Sequence, residues 1–243
     1  MTNFVKYPFL LYKNEKNWVP PLINDELASM DKDKNPVFKN AEARFFIAYK
    51  NDKPVGRIAS IVNRTEIEEQ GKPKMRFGWF DVIDDIEVTK ALLGKIQEIG
   101  KENNLEWMEG PVGFSNMEKA GMLIEGFDYM NTMITWYNFP YYKEHFEQLG
   151  FKKAEEWVEY IIDVPEILPE KVHRFSQIIM ERYNLKVVGF RNTKEILPYV
   201  NGMFDLLNKT YGKLSTFVPI KQYQIDHFNS ILLSLHSLIQ PKK

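Results

Sequence analysis

The sequence predicts a mixed α/β fold with α+β character, a central sheet carrying helices on both faces. Three observations predict it. Residues 45–49 and 55–62 are β-branched and aromatic runs flanking Asn51-Asp52-Lys53-Pro54, which reads as a hairpin turn. Residues 76–83 form a third such run, followed at once by a helical stripe. Strand and helix patterns then alternate to residue 191. Hairpin neighbours are antiparallel, whereas strand–helix–strand connections favour parallel ones.

The elements follow in order. Trp18-Val19-Pro20-Pro21-Leu22 cannot be helix interior, because each proline removes a donor and restrains its predecessor. A short helix over residues 24–30 is expected, capped by Asn24 or Asp25. After the hairpin and the third strand, Val88, Ala91, Leu92, Ile96 and Ile99 share one face of a long helix. Asp84 or Asp85 caps its start and Asn103-Asn104 stop it. Residues 105–108 read as a strand. The glycine-punctuated segment 110–138 leads to a short helix over 140–149, which Gly150 ends as a C-cap glycine does. Strands are expected at 157–164 and 185–191, with helices at 170–183, 194–211 and from 219 onward.

Composition narrows the function. Lys+Arg number 32 against 33 Asp+Glu, so the basic excess typical of proteins that grip nucleic-acid phosphates is missing. The apolar runs break within a few residues, far short of the roughly 20 needed to span a bilayer. The first residues lack the apolar stretch and cleavage site of a signal peptide, so a cytoplasmic protein is expected. With no cysteine, disulfides, thiolate zinc sites and a cysteine nucleophile are excluded.

Several phrases carry a family resemblance: Asn17-Trp18-Val19-Pro20-Pro21-Leu22, Val55-Gly56-Arg57-Ile58-Ala59, Phe77-Gly78-Trp79-Phe80-Asp81, Gly110-Pro111-Val112, and Tyr137-Asn138 through Tyr141-Tyr142. Together with the element order, they resemble the GNAT acetyltransferase superfamily, and within it a bacterial branch of uncharacterised acetyltransferase-like proteins. The resemblance implies a GNAT-like domain over residues 1–165. Residues 166–243 would then be a linker helix and the opening of an incomplete second copy, as in a shortened gene. It also implies an N-acyltransferase using acetyl-CoA or another acyl-CoA, with strand backbone at Phe80, Asp81 and Val82 holding the donor. An amine substrate would enter from the 110–138 side, where Asn116, Tyr129 and Asn138 are candidate binding residues. A non-catalytic small-molecule binding module is the alternative. A third reading, transfer from an aminoacyl-tRNA, is disfavoured by the charge balance.

Two departures bear on chemistry. Active members place a Gln/Arg-x-x-Gly-x-Gly/Ala loop before the main helix, where backbone amides meet the coenzyme A pyrophosphate. Here Asp81-Val82-Ile83-Asp84-Asp85-Ile86-Glu87 has no glycine and four carboxylates, so weak coenzyme A binding is expected. The tyrosine that serves many members as general acid falls at Phe146. Tyr141 and Tyr142, about a turn earlier, are the catalytic candidates left.

Elsewhere, His145 is expected as a surface imidazole, and no metal site is expected because the four histidines lack zinc spacing. Neither Ser115 nor Ser60 has a nucleophile's setting. Arg57 interrupts an apolar strand and calls for a buried partner, with Asp81 the candidate. Phe228, Ile231, Leu232, Leu235 and Ile239 form a stripe predicted to pack on the first domain or to mediate self-association.

Overall fold

The computed structural model describes residues 1–115, 118–132 and 135–239, with side chains described through Ile231. Four strands form one sheet in the order β1 (Ala41–Lys50), β2 (Lys53–Asn63), β3 (Lys74–Val82) and β4 (Trp107–Glu109). β1–β2 and β2–β3 pair antiparallel and β3–β4 parallel, as the mixed-sheet expectation required. The hairpin turns at Asn51 and Asp52, whose φ values of 51° and 61° are the two positive angles of a tight β-turn.

The helices are α1 (Thr2–Leu11), α2 (Ile23–Ser29), α3 (Ile86–Glu102), α4 (Tyr141–Gln148), α5 (Glu170–Arg182), α6 (Thr193–Tyr211) and α7 (Gln222–Ile239). On one sheet face α3 buries Val88, Leu92, Ile96 and Ile99 against Ile58, Val62, Met75 and Phe77, and α4 adds Tyr142 and Phe146. On the other, Phe4 and Val5 of α1 meet Ala59, Ile61, Trp79 and Phe114. β2 divides its residues by the period of two, with Ile58 and Val62 toward α3 and Ala59 and Ile61 toward α1.

β3 does not keep one phase. Met75 and Phe77 face α3, but so do Phe80 and Val82, while Trp79 faces α1. A bulge accounts for it: Ala59 pairs with Gly78 and Arg57 with Asp81, so Trp79 and Phe80 share Ile58. Trp79 takes φ 46°, a left-handed conformation rare for a bulky residue. Beside it, a Cβ on Gly78 would lie 2.5 Å from the Val112 carbonyl oxygen, so only glycine permits that approach.

α1 was not anticipated, because Pro8 lies inside it. The proline has no amide to give the Phe4 carbonyl, and Arg57 Nη1 supplies the missing hydrogen bond at 2.9 Å. Three smaller expectations are corrected. α2 is capped by Leu22 without a side-chain bond, and Asp25 lies in its first turn. Ala91 is exposed, at the margin of the α3 stripe. Residues 157–164 and 185–191 form no strand, since neither finds a sheet edge within the chain. Their apolar residues stand in solvent, Ile161 81% and Val187 88% exposed.

The segment after α6 is held to the sheet by buried charge. Arg76, fully buried, donates to both Glu66 carboxylate oxygens, to Gly113 O at 3.2 Å and to Thr216 O at 2.7 Å. Lys74 bridges Glu66 and Glu109, and Lys72 donates to Ser215 O at 2.9 Å. Within the ion pairs themselves, Arg76 and Lys74 balance Glu66 and Glu109.

Candidate functional site

The bulge brings a charged pair to the α1 face. Arg57 and Asp81 are both buried, and Arg57 Nε donates to Asp81 Oδ2 at 2.6 Å, the ion pair expected from sequence. Tyr12 Oη donates to the other carboxylate oxygen at 2.8 Å and lies 3.1 Å from Tyr142 Oη. Burial, reinforced by the Asp81 charge, holds both phenols well above their usual range. The Tyr7 hydroxyl is buried in the field of the same pair and has no hydrogen-bond partner among the described residues.

β3 leaves β4 beyond Arg76, and Val112 N–H reaches Phe77 O at 2.8 Å. At Val82 the backbone is met by side chains instead of a strand. Its N–H donates to Tyr142 Oη at 2.7 Å and its carbonyl accepts from Tyr141 Oη at 2.7 Å. The two tyrosines singled out in the sequence therefore lie on the strand residue singled out with them. Phe80 packs into the α3-side core against Tyr142 and Phe146.

Above the ion pair lies a narrow cleft lined by Pro8, Tyr12, Trp18, Trp79, Trp136 and Tyr137, with Glu26, Arg57, Asp81, Lys119 and Asn131 as its polar members. Segment 110–138 closes it. Asn131 accepts from Val19 N at 2.7 Å, and Asn17 donates to Phe127 O at 3.0 Å. Glu26 accepts from the Trp79 indole at 2.7 Å. Tyr137 donates to Glu15 at 3.0 Å, and burial with that carboxylate pushes its phenol up to about 12. Lys119 is half-buried without an ion-pair partner among the described residues, and burial lowers its ammonium from the ordinary value.

Among the expected substrate residues, Asn116 lies outside the described residues. Asn138 is buried and exchanges hydrogen bonds with the Leu123 backbone, 2.6 Å to its N–H and 3.0 Å to its carbonyl. Tyr129 is 58% exposed and is not part of the cleft lining. His145 corrects the surface expectation. It is buried, its Nδ1 2.9 Å from Thr89 Oγ1 and its Nε2 3.2 Å from Asp84 Oδ1, because α4 packs on the start of α3. Phe146, at the position where the resemblance implies a general acid, stacks on Phe77 in the core.

The start of α3 does not fit a coenzyme A pyrophosphate. Asp85 Oδ1 takes the Glu87 amide at 3.0 Å, its carbonyl accepts from Val88 and Thr89, and Lys50 neutralises it at 2.8 Å. The amides that would meet phosphate are already engaged.

The sequence reading missed Trp18, Glu26, Trp79, Lys119 and Trp136 as cleft members. A signal for part of the set was present in Trp79, which sits beside Gly78 inside a strand, where a glycine marks a bulge or close approach.

The chain is therefore a mixed α/β protein with a polar–aromatic cleft at a strand bulge, and among the described residues no helix is long and apolar enough to cross a membrane. It is homologous to two bacterial proteins. Protein YghO of Escherichia coli K12 is 33% identical over 154 residues, 62% of this chain and 38% of that protein. A bacterial ceramide synthase of Caulobacter vibrioides (strain NA1000 / CB15N) is 26% identical over 199 residues, 77% of this chain and 52% of that protein. The chain thus spans about half the length, or less, of these relatives. No family model and no solved structure matches it.

Proposed function

We propose that this chain is a cytoplasmic, GNAT-like N-acyltransferase unit that joins an acyl group to a small amine. Ceramide is an amide of a long-chain amino alcohol, so the relative's name belongs to amide-forming chemistry. The observation that carries the reading is the bulge of β3, which turns Asp81 toward the cleft and leaves Val82 to the Tyr141 and Tyr142 hydroxyls. In amide formation the amine nitrogen attacks the acyl carbonyl, the bond to the donor's leaving group breaks, and the amine's proton passes to that group. Tyr141, half-buried beside the strand, is the candidate to relay that proton. Phe80, Asp81 and Val82 are the candidate strand residues beside which the acyl donor lies, with the Tyr141 and Tyr142 hydroxyls on Val82 as the groups that meet it.

The engaged amides at the start of α3 favour a second reading, a binding module that keeps the fold without transfer. The test incubates the whole chain with acyl-CoA or an acyl carrier protein thioester and a panel of small amines and amino alcohols, with amide read by mass spectrometry. Amide whose yield falls with Tyr141→Phe supports transfer. Amine binding without amide supports the module.

A further inference from the structure

We infer that residues 157–164 form an interface between two copies of this chain, paired antiparallel across a twofold axis at Tyr160 and covered by α5 of each copy. The segment reads Trp157-Val158-Glu159-Tyr160-Ile161-Ile162-Asp163-Val164. With a strand's period of two, Val158, Tyr160, Ile162 and Val164 share one face, and Trp157, Glu159, Ile161 and Asp163 the other. Among the described residues, no backbone hydrogen bond involves residues 152–165, and Glu159 is tethered only by accepting from Thr132 Oγ1 at 3.3 Å. Unpaired strand chemistry is a template for another strand.

The amount of uncovered surface points to a second copy as the occupant. The chain exposes 16707 Å², about half as much again as the roughly 11,000 Å² of a folded monomer of 28.7 kDa. That surplus exceeds the roughly 1,600 Å² that a standard interface buries in total. A two-stranded ribbon is marginal alone and needs a face packed on it. α5 follows residues 165–169 and carries an uncovered stripe of Val172, Phe175, Ile178 and Ile179. Each copy gives and receives the same strand, so the contact closes at two.

Side chains choose the register. Opposed residues of an antiparallel pair lie on one face, so the apolar faces coincide only when each residue meets one of its own parity. An axis at Ile161 would oppose Glu159 to Asp163, and one at Glu159 would oppose that carboxylate to itself. An axis at Ile162 would bring Pro165 into the ladder without a donor. With the axis at Tyr160, Val158 meets Ile162, Glu159 meets Ile161 and Trp157 meets Asp163, and no like charges are opposed.

This interface holds whether or not the chain transfers acyl groups. The chain has no cysteine, so a single introduced one reports its own position. The test measures the mass of the whole chain by sedimentation velocity at micromolar concentration, and the expected species is a dimer. Under mild oxidation Tyr160→Cys should become a covalent dimer, because its Cβ atoms lie about 5 Å apart across the axis. Val164→Cys should not, since its equivalents stand about 27 Å apart along the ribbon. Tyr160→Glu and Phe175→Lys lie outside the cores and should each give a monomer with an unchanged circular dichroism spectrum. A monomeric wild-type chain, a dimer that survives both substitutions, or equal cross-linking through both cysteines would overturn the assignment. A wild-type monomer that binds phosphatidylcholine vesicles would give this face to a lipid surface and overturn it likewise.

Discussion

Arg57 shows how much one side chain can hold. Its guanidinium joins β2 to Asp81 on β3 and to the Phe4 carbonyl of α1, all buried. Arg57→Met would leave the buried Asp81 carboxylate without its cation and the Phe4 carbonyl without a donor. Removing one partner of a buried pair costs about 3–5 kcal/mol, so urea unfolding should show a loss of that size. Asp81→Asn should cost less, since the amide still accepts from Arg57 and Tyr12. Equal or negligible losses would refute that account. The buried tyrosines carry a pH prediction. Tyr12 and Tyr142 stand above the unfolded value of 10.0, and Tyr137 near 12. Between pH 10 and those folded values the unfolded chain releases phenolic protons that the folded chain keeps. Stability is therefore full below pH 10 and falls as pH rises above it. Absorbance at 295 nm should show one class of tyrosines ionising near pH 10 and a second released only on alkaline unfolding.

Among the elements, α3 and β3 show what was legible in the sequence. The α3 stripe and its Asp85 cap were readable because amphipathic period and capping chemistry are local. Asp85→Ala should lower the melting temperature through the lost cap, with little added from exposed Lys50. Gly78 hinted at an irregularity in β3, but the phase was not readable, since whether Phe80 or Trp79 faces α3 depends on pairing with β2. Gly78→Ala tests it. A methyl group against the Val112 carbonyl should cost about 1–3 kcal/mol by overpacking, and an unchanged melting temperature would mean that the approach is looser than described. The cleft was illegible for the same reason. Trp18 and Glu26 lie about a hundred residues from Lys119 and Trp136, and the bulge, the Asn17–Phe127, Val19–Asn131 and Glu15–Tyr137 contacts and the Trp79–Glu26 bond gather them.

For the whole molecule, the alternating pattern of residues 157–164 predicts a strand that does not form, because a strand exists only where an edge receives it. Tyr160, Ile161, Ile162 and Val164 are each at least 80% exposed, and α5 turns Val172, Phe175, Ile178 and Ile179 to solvent. A surface of that kind exceeds the scattered apolar residues of an ordinary monomer. Diluted to its monomer, the chain should therefore bind an environment-sensitive dye such as anilinonaphthalene sulfonate in its native state. Ile161→Lys with Val187→Lys should lower that signal without lowering the melting temperature. A native monomer dark to the dye would show that these residues are covered within one copy.

Pro8 acts across the whole molecule, because its missing amide is what admits Arg57 to the Phe4 carbonyl. The first helix is thereby bolted to the strand that carries the ion pair, and Pro8 and Tyr12 become walls of the cleft. A change in α1 would be felt at the cleft before it was felt in the α3-side core. Protein with a bulky tag abutting Met1 should keep its α3 packing yet shift its tryptophan emission, because Trp18 and Trp79 line the cleft that α1 walls.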